Sequence, residues 1–183
     1  MEIWEAINGR RSIGKVKSDI VEKAIIEKLL DAAVMAPCHG MTEPWRFIVM
    51  RGEGRRKLGE AYARIAGAEA SVDSEAYIKK AYRAPVVIAV ICSPSNRPGM
   101  VRIEEFAAVH AAVQNMLLTA HALGLGAIWR SGEPMYHPAM KATFGLDNNE
   151  EMVGFIYIGY PVGTTPAPTR RKGASAVTEW VDV

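Results

Sequence analysis

Three short stretches of this chain combine cationic side chains with groups that bond or stack on a flat, charged ligand. Arg10-Arg11-Ser12 sets two guanidiniums beside a hydroxyl. That combination holds a phosphate monoester by charge-assisted, partly bidentate hydrogen bonds, and it equally suits a solvated basic turn. Residues 37–45 (PCHGMTEPW) carry two prolines, His39, a glycine and Trp45. They suit a pocket wall for a planar ring, or an ordinary helix-to-strand connection. Trp129-Arg130-Ser131-Gly132 leaves a short apolar run, so its backbone N–H groups can face a ring and Gly132 permits close approach. The alternative puts Trp129 in the core and Arg130 in a surface ion pair.

Other chemistry is harder to place. The chain has no GxSxG elbow, no HExxH pair, no P-loop and no GxGxxG after a strand. The four histidines are scattered, and Cys38 and Cys92 match no metal spacing, so no metal site is expected. Chemistry is therefore expected to be cofactor-borne. A net charge of +2 gives no general case for nucleic acid. Two distant cysteines suit reduced thiols in a cytoplasmic protein, and the acidic start MEIWEAINGRRS does not read as a signal peptide.

The elements that must position these stretches are organised around residues 103–132, IEEFAAVHAAVQNMLLTAHALGLGAIWRSG. Residues 106–129 contain no Asp, Glu, Lys or Arg, and apolar side chains cover nearly every face at helical spacing. Ala107, Ala108, Ala111 and Ala112 let another helix approach. The run is long enough to cross a bilayer, but His110, Gln114, Asn115, Thr119 and His121 lie inside it and no Lys or Arg flanks its start. It reads as a helix buried in the core and in a subunit interface, with no membrane partner. Gly124 and Gly126 end it, and residues 125–129 form a buried strand.

Around it, Ile3, Trp4 and Ile7 form the apolar side of a short first helix. Asp19 is positioned to cap a helix over 20–34. Strands are expected over 45–50, 84–92 and 152–160, the second covered on both faces. Two polar helices over 54–67 and 74–82 read as peripheral, and a short helix over 138–144 ends at Gly145. A basic, proline-rich linker over 161–173 leads to a strand over 176–183, which joins a sheet edge, possibly on a partner subunit. Hydrophobic residues make up 49% of the 183, enough for a single domain spanning 1–183 with a substantial core. The fold class is α+β, with a mixed central sheet between helices.

Taken in order, the helix and RRS, the AP-x-H-x-x-x-x-PW loop, RAPVVIAV, GLGAIWRSG and VGFIYIGYP with its basic follow-on resemble the nitroreductase family of FMN-dependent NAD(P)H oxidoreductases, closest to its small YdjA-like branch. The resemblance covers almost the whole chain. It implies a homodimer with FMN at the interface, the long helix forming that interface. By this resemblance Arg10, Arg11 and Ser12 hold the ribityl phosphate and flavin edge. His39, with Met35 beside it, contacts the flavin from the other subunit. Trp129, Arg130, Ser131 and Gly132 run along the isoalloxazine, their backbone facing N5 and O4. A basic residue of the linker reaches the phosphate: Arg170, Arg171 or Lys172, with Arg171 preferred. The helix end near His121 and Gly124 approaches the nicotinamide, against the tendency of a helix C-terminus to repel phosphates. Met35 stands where some relatives carry Arg, and Cys38 where relatives often have Asp or Asn. The implied activity passes two electrons from NADH or NADPH through FMN to a small-molecule acceptor, a nitroaromatic or quinone. The alternative is a flavin carrier or sensor.

Overall fold

The computed structural model describes residues 1–67, 73–164, 166–167 and 171–182. The helices are α1 (Ile3–Gly9), α2 (Lys23–Val34), α3 (Arg56–Ile65), α4 (Ser74–Ala81), α5 (Arg102–Ala122), α6 (Glu133–Tyr136) and α7 (Pro138–Phe144). The strands are β1 (Trp45–Arg51), β2 (Val86–Cys92), β3 (Gly126–Arg130) and β4 (Glu151–Gly159). They form one sheet in the order β1-β2-β4-β3, every pair antiparallel. A parallel component enters through one isolated bridge, Ser12 to Ala127.

The β-branched run VVIAVIC becomes β2, and all seven of its residues are buried because helices cover both sheet faces. On one face Val86, Ile88, Val90 and Cys92 pack with α2 and α5 through Leu29, Ala33, Val109, Ala112 and Met116. Alanines at 33, 108 and 112 let these helices close on each other, and Asn115 Nδ2 donates to Ala32 O across the seam at 3.1 Å. On the other face Val87, Ala89, Ile91, Phe155 and Tyr157 pack with α3, α4, α6 and α7. The long helix ends in a Schellman turn: Leu125 N donates to Ala120 O at 2.8 Å, Gly124 N to His121 O at 3.0 Å, and Gly124 takes φ +75°. No helix among the described residues is long and apolar enough to cross a membrane.

Several expectations change. The helix expected over 20–34 starts at Lys23, and Asp19 does not cap it; Glu22 holds the N-cap position without a side-chain cap bond. The helices expected to be peripheral are part of the second core. Leu58, Ala61 and Ala81 are fully buried. Gly59 makes this possible, since a Cβ there would lie 2.7 Å from Ile78 Cα. The strand expected over 176–183 is not a strand. Ala174–Val177 form a 3-10 turn and residues 178–182 have no regular structure. Alternation makes a strand only where an open sheet edge accepts its hydrogen bonds, and among the described residues no sheet edge of this chain pairs with this segment. Val183 lies outside the described residues, as do residues 165 and 168–170 of the linker.

Candidate functional site

The segment following α1 ties the candidate residues together. Ile13 N donates to Ala127 O of β3 at 2.9 Å, Lys17 N to Tyr160 O at 2.8 Å, and Val162 N to Lys15 O at 3.2 Å. Residues 12–17 are thus clipped between β3 and the chain leaving β4. One cleft includes Ser12 of this segment, and a second includes Arg130, whose Nη2 lies over Gly14.

The first cleft, about 480 Å³, is lined by Ile7, Asn8, Arg10, Arg11, Ser12, Pro166, Ala167 and Arg171. The structure therefore brings Arg171 of the linker to the same cleft as Arg10, Arg11 and Ser12. Lys172 does not line it, and Arg170 lies outside the described residues. Arg11 Nη1 folds back onto Asn8 O at 2.6 Å and Arg10 O at 2.8 Å, fixing its guanidinium at the C-terminus of α1. Cations are favoured at that end of a helix.

The second cleft, about 540 Å³, contains Trp129, Arg130, Ser131 and Gly132 together with Tyr62, Lys80, Arg83, Pro134, Met135, Phe155 and Tyr157. Trp129 turns to the α5 side: its Nε1 donates to Val153 O at 3.3 Å, and its ring centre lies 5.5 Å from that of His110. A register shift near Val90 and Ile91, followed by Gly154, creates the seat, since a Cβ on Gly154 would sit 2.1 Å from Trp129 Nε1. The next residue turns the other way. Arg130 Cζ lies 5.6 Å from the Tyr157 ring centre, and no ion pair joins Arg130 to a described carboxylate, so the surface-pair alternative does not hold. Gly132, at φ +134°, precedes α6 in a conformation that favours glycine. Beneath, the Tyr157 and Tyr62 hydroxyls meet at 3.5 Å. Burial raises the pKa of both phenols, while Arg130 and Arg83 pull the other way. These two phenols, Lys80 and Arg83 carried no sequence signal; strand register and the α3–α4 packing bring them here.

Both clefts are cationic, and no Asp or Glu lines either among the described residues. Among the described residues, the buried side-chain nitrogens left without a hydrogen-bond partner are the Nε atoms of Arg10, Arg11 and Arg130. Buried polar groups are normally paired. Three orphaned donors at the edges of two acid-free clefts mark positions where an anionic, acceptor-rich ligand would complete the structure.

Met35 and His39 line neither cleft. Met35 is 78% exposed at the end of α2, and His39 Nδ1 lies 3.7 Å from Glu104 Oε2 at the start of α5. His121 packs against Gly9, where a Cβ would come within 2.7 Å of its Nε2, and Gly124 is exposed in the turn after α5. Cys38 and Cys92 are free thiols; burial pushes the Cys92 thiol up to about 12, which leaves it protonated and unreactive at neutral pH. No group of His, Cys, Asp and Glu that could hold a metal ion occurs among the described residues.

The profile described as the nitroreductase family matches residues 7–160. YdjA of Escherichia coli (strain K12), provisionally named an NAD(P)H nitroreductase, is 32% identical over 165 residues, covering 88% of this chain and 89% of that protein. The crystal structure of a nitroreductase-like family protein from Bacillus cereus superposes with a TM-score of 0.86 at 30% identity, covering 99% of this chain and 96% of that one. A provisionally named nitroreductase from Desulfovibrio desulfuricans, in complex with FMN, superposes with a TM-score of 0.77 at 29% identity, covering 98% and 97% of the two chains.

Proposed function

This chain belongs to the nitroreductase family of oxidoreductases, and on that premise we propose that its two clefts are the two ends of one FMN site. Arg10, Arg11, Ser12 and Arg171 hold the phosphate in the first cleft. The backbone of Trp129, Arg130, Ser131 and Gly132 lines the isoalloxazine in the second. The observation that carries this reading is the trio of unpartnered guanidinium nitrogens at Arg10, Arg11 and Arg130. An FMN-bound relative of the same fold supports the choice of cofactor.

When bound, FMN supplies two-electron transfer, from NADH or NADPH to a small-molecule acceptor such as a nitroaromatic or a quinone. The protein's share is placement. Arg10, Arg11 and Arg171 neutralise a phosphate dianion at one end. The acid-free wall at the other end keeps repulsive charge away from the ring, and the sheet and α5 hold Trp129 rigidly behind it. No side-chain nucleophile is required. The working unit is a homodimer, in which Met35 and His39 of the partner subunit contact the flavin. In support, α1 leaves Ile3 60%, Trp4 72% and Ile7 46% exposed. Large apolar side chains exposed together on one short helix suit a partner subunit better than water. His121, packed one residue from Arg10 against Gly9, and Gly124 are assigned to the nicotinamide's approach on position alone.

The test is FMN retention by Arg10→Ala. One charge-assisted hydrogen bond is worth about 1.5–3 kcal/mol, so FMN affinity should fall by roughly 10- to 150-fold. Protein purified with undiminished FMN from this variant would overturn the assignment. Steady-state NADH or NADPH oxidation with menadione or a nitrofuran then separates an enzyme from a flavin carrier.

A further inference from the structure

The flavin assignment leaves one wall of the second cleft without a role. Tyr62 of α3, Lys80 near the end of α4 and Arg83 in the turn after α4 line that wall, and none belongs to the segments that hold FMN. The Lys80 ammonium lies 4.2 Å from the Tyr77 ring centre, a cation–π contact that orients the side chain without neutralising it. Arg83 is exposed, yet its charge reaches inward. Burial raises the pKa of the Tyr62 and Tyr157 phenols, and Arg83 is among the cations that pull both back. No ion pair joins Lys80 or Arg83 to a described carboxylate.

The chemistry of this wall is one-sided. An ammonium and a guanidinium can only donate hydrogen bonds. The Tyr62 and Tyr157 hydroxyls meet at 3.5 Å, long for an O–H···O bond, so a better acceptor can draw one of these protons away. Ile128, Pro134, Met135 and Phe155 add an apolar lining. A cleft with an apolar body and a few convergent polar groups selects a ligand built in matching halves. Here that ligand is a flat apolar ring carrying an anionic group rich in acceptors. A carboxylate fits, because its two oxygens match the guanidinium fork. A nucleotide phosphate has the same sign of charge, but it sits on a hydroxyl-rich ribose that an apolar lining does not reward.

We propose that Lys80 and Arg83, with the Tyr62 hydroxyl, form the seat of a carboxylate on an aromatic electron acceptor, so that the protein takes nitroaromatic acids in preference to neutral nitroaromatics of the same shape. This inference rests on the FMN assignment above and names the class of acceptor that visits that ring. The carboxylate takes no part in the electron transfer. In the overall exchange NADH and one proton yield NAD+, while the nitro group loses one oxygen as water and becomes a nitroso group. Lys80 and Arg83 act on capture, so removing them should raise KM for the acid more than it lowers kcat.

The test uses the FMN-loaded protein with NADH and two acceptors of nearly equal size, 4-nitrobenzoate and its neutral counterpart 4-nitrobenzamide. The readout is the ratio of their kcat/KM values, from which FMN occupancy and the rate of hydride entry cancel. Lys80→Met and Arg83→Met should each lower the acid-to-amide ratio by roughly tenfold. Lys80→Arg, which keeps the charge, should retain most of it. Added salt should lower the ratio in the unaltered protein and leave it unmoved in the double variant. Equal ratios in the unaltered protein and both methionine variants would overturn the proposal while sparing the FMN assignment. So would variants that lose preference for NADPH over NADH while keeping the acid-to-amide ratio, since the cations would then read a phosphate of the donor. Should Lys80→Met fail to fold, Arg83→Glu, at an exposed position, makes the same comparison with a larger expected fall. An unaltered protein that binds no FMN would overturn both.

Discussion

Glu150 is 4% exposed, yet it is a carboxylate, and its ionisation should set the acid limit of this fold. Arg46 Nε donates to Glu150 Oε1 at 2.8 Å and Arg46 Nη2 to Oε2 at 2.6 Å, while Asp147 N donates to Oε2 at 3.0 Å. These bonds staple β1 to the loop that enters β4. The Arg46 fork first, then the Asp147 N–H and Ser93, hold the Glu150 carboxyl well below its ordinary 4.5, at about 2, against the opposing effect of burial. A group whose pKa is lowered by folding stabilises above its unfolded value, and that stability is lost as pH falls toward the folded value. At about 1.36 kcal/mol per unit, the shift from 4.5 to about 2 is worth at most about 3 kcal/mol. The Arg46 side chain is 36% exposed, so solvent screening reduces this to about 2 kcal/mol. Glu150→Gln keeps the shape and removes the charge. Urea unfolding at pH 7 should show it less stable than the unaltered protein by about 2 kcal/mol. The gap should narrow below pH 4.5 and fall to roughly a quarter of its full size by pH 2.5. Arg46→Ala should cost more, about 3–5 kcal/mol, because it leaves a buried carboxylate alone. A gap that stays constant from pH 7 to pH 2.5 would refute the linkage.

Two further outcomes are expected. Gly154→Ala puts a methyl 2.1 Å from Trp129 Nε1 and 3.0 Å from the Arg130 carbonyl, so the indole must leave its seat. A loss of about 1–3 kcal/mol in thermal unfolding and greater acrylamide quenching of tryptophan fluorescence should follow, and unchanged melting would show that Trp129 is not held there. Trp4→Glu places a charge on the apolar face of α1, where the side chain is 72% exposed within one chain. It should leave the chain folded by circular dichroism yet monomeric by sedimentation and depleted of FMN; a dimer with full FMN would remove α1 from the interface.

The sequence revealed those elements whose patterns are set by burial alone. VVIAVIC and MVGFIYIG can lie only between two covered faces, and they became β2 and the body of β4. Gly145 ended α7 in the left-handed conformation its type favours. The α3–α4 packing was hidden because it depends on what is missing: Gly59 and the alanines at 61, 63 and 81 contribute closeness rather than bulk. The segment over 176–183 misled because alternation records a preference for two-sided surroundings and carries no information about whether an edge is available. The site divided in the same way. Arg10, Arg11 and Ser12 were visible by type and adjacency, while Arg171 came only from the family resemblance, which left Arg170 and Lys172 beside it. Tyr62, Lys80 and Tyr157 come from three separate elements and Arg83 from the turn after α4, and Gly14 gains meaning only once Arg130 lies over it.

The clip at residues 12–17 also bears on the order in which this molecule can be completed. Its partners are the carbonyl of Ala127 and the main chain of Tyr160 and Val162, which the ribosome adds more than a hundred residues later. Ser12 and its neighbours are made well before the residues they pair with. Helix pairs such as α3 and α4 can form during synthesis, but the clip has to wait until residues 127–162 have been added. A nascent chain stalled before residue 160 should therefore remain colourless.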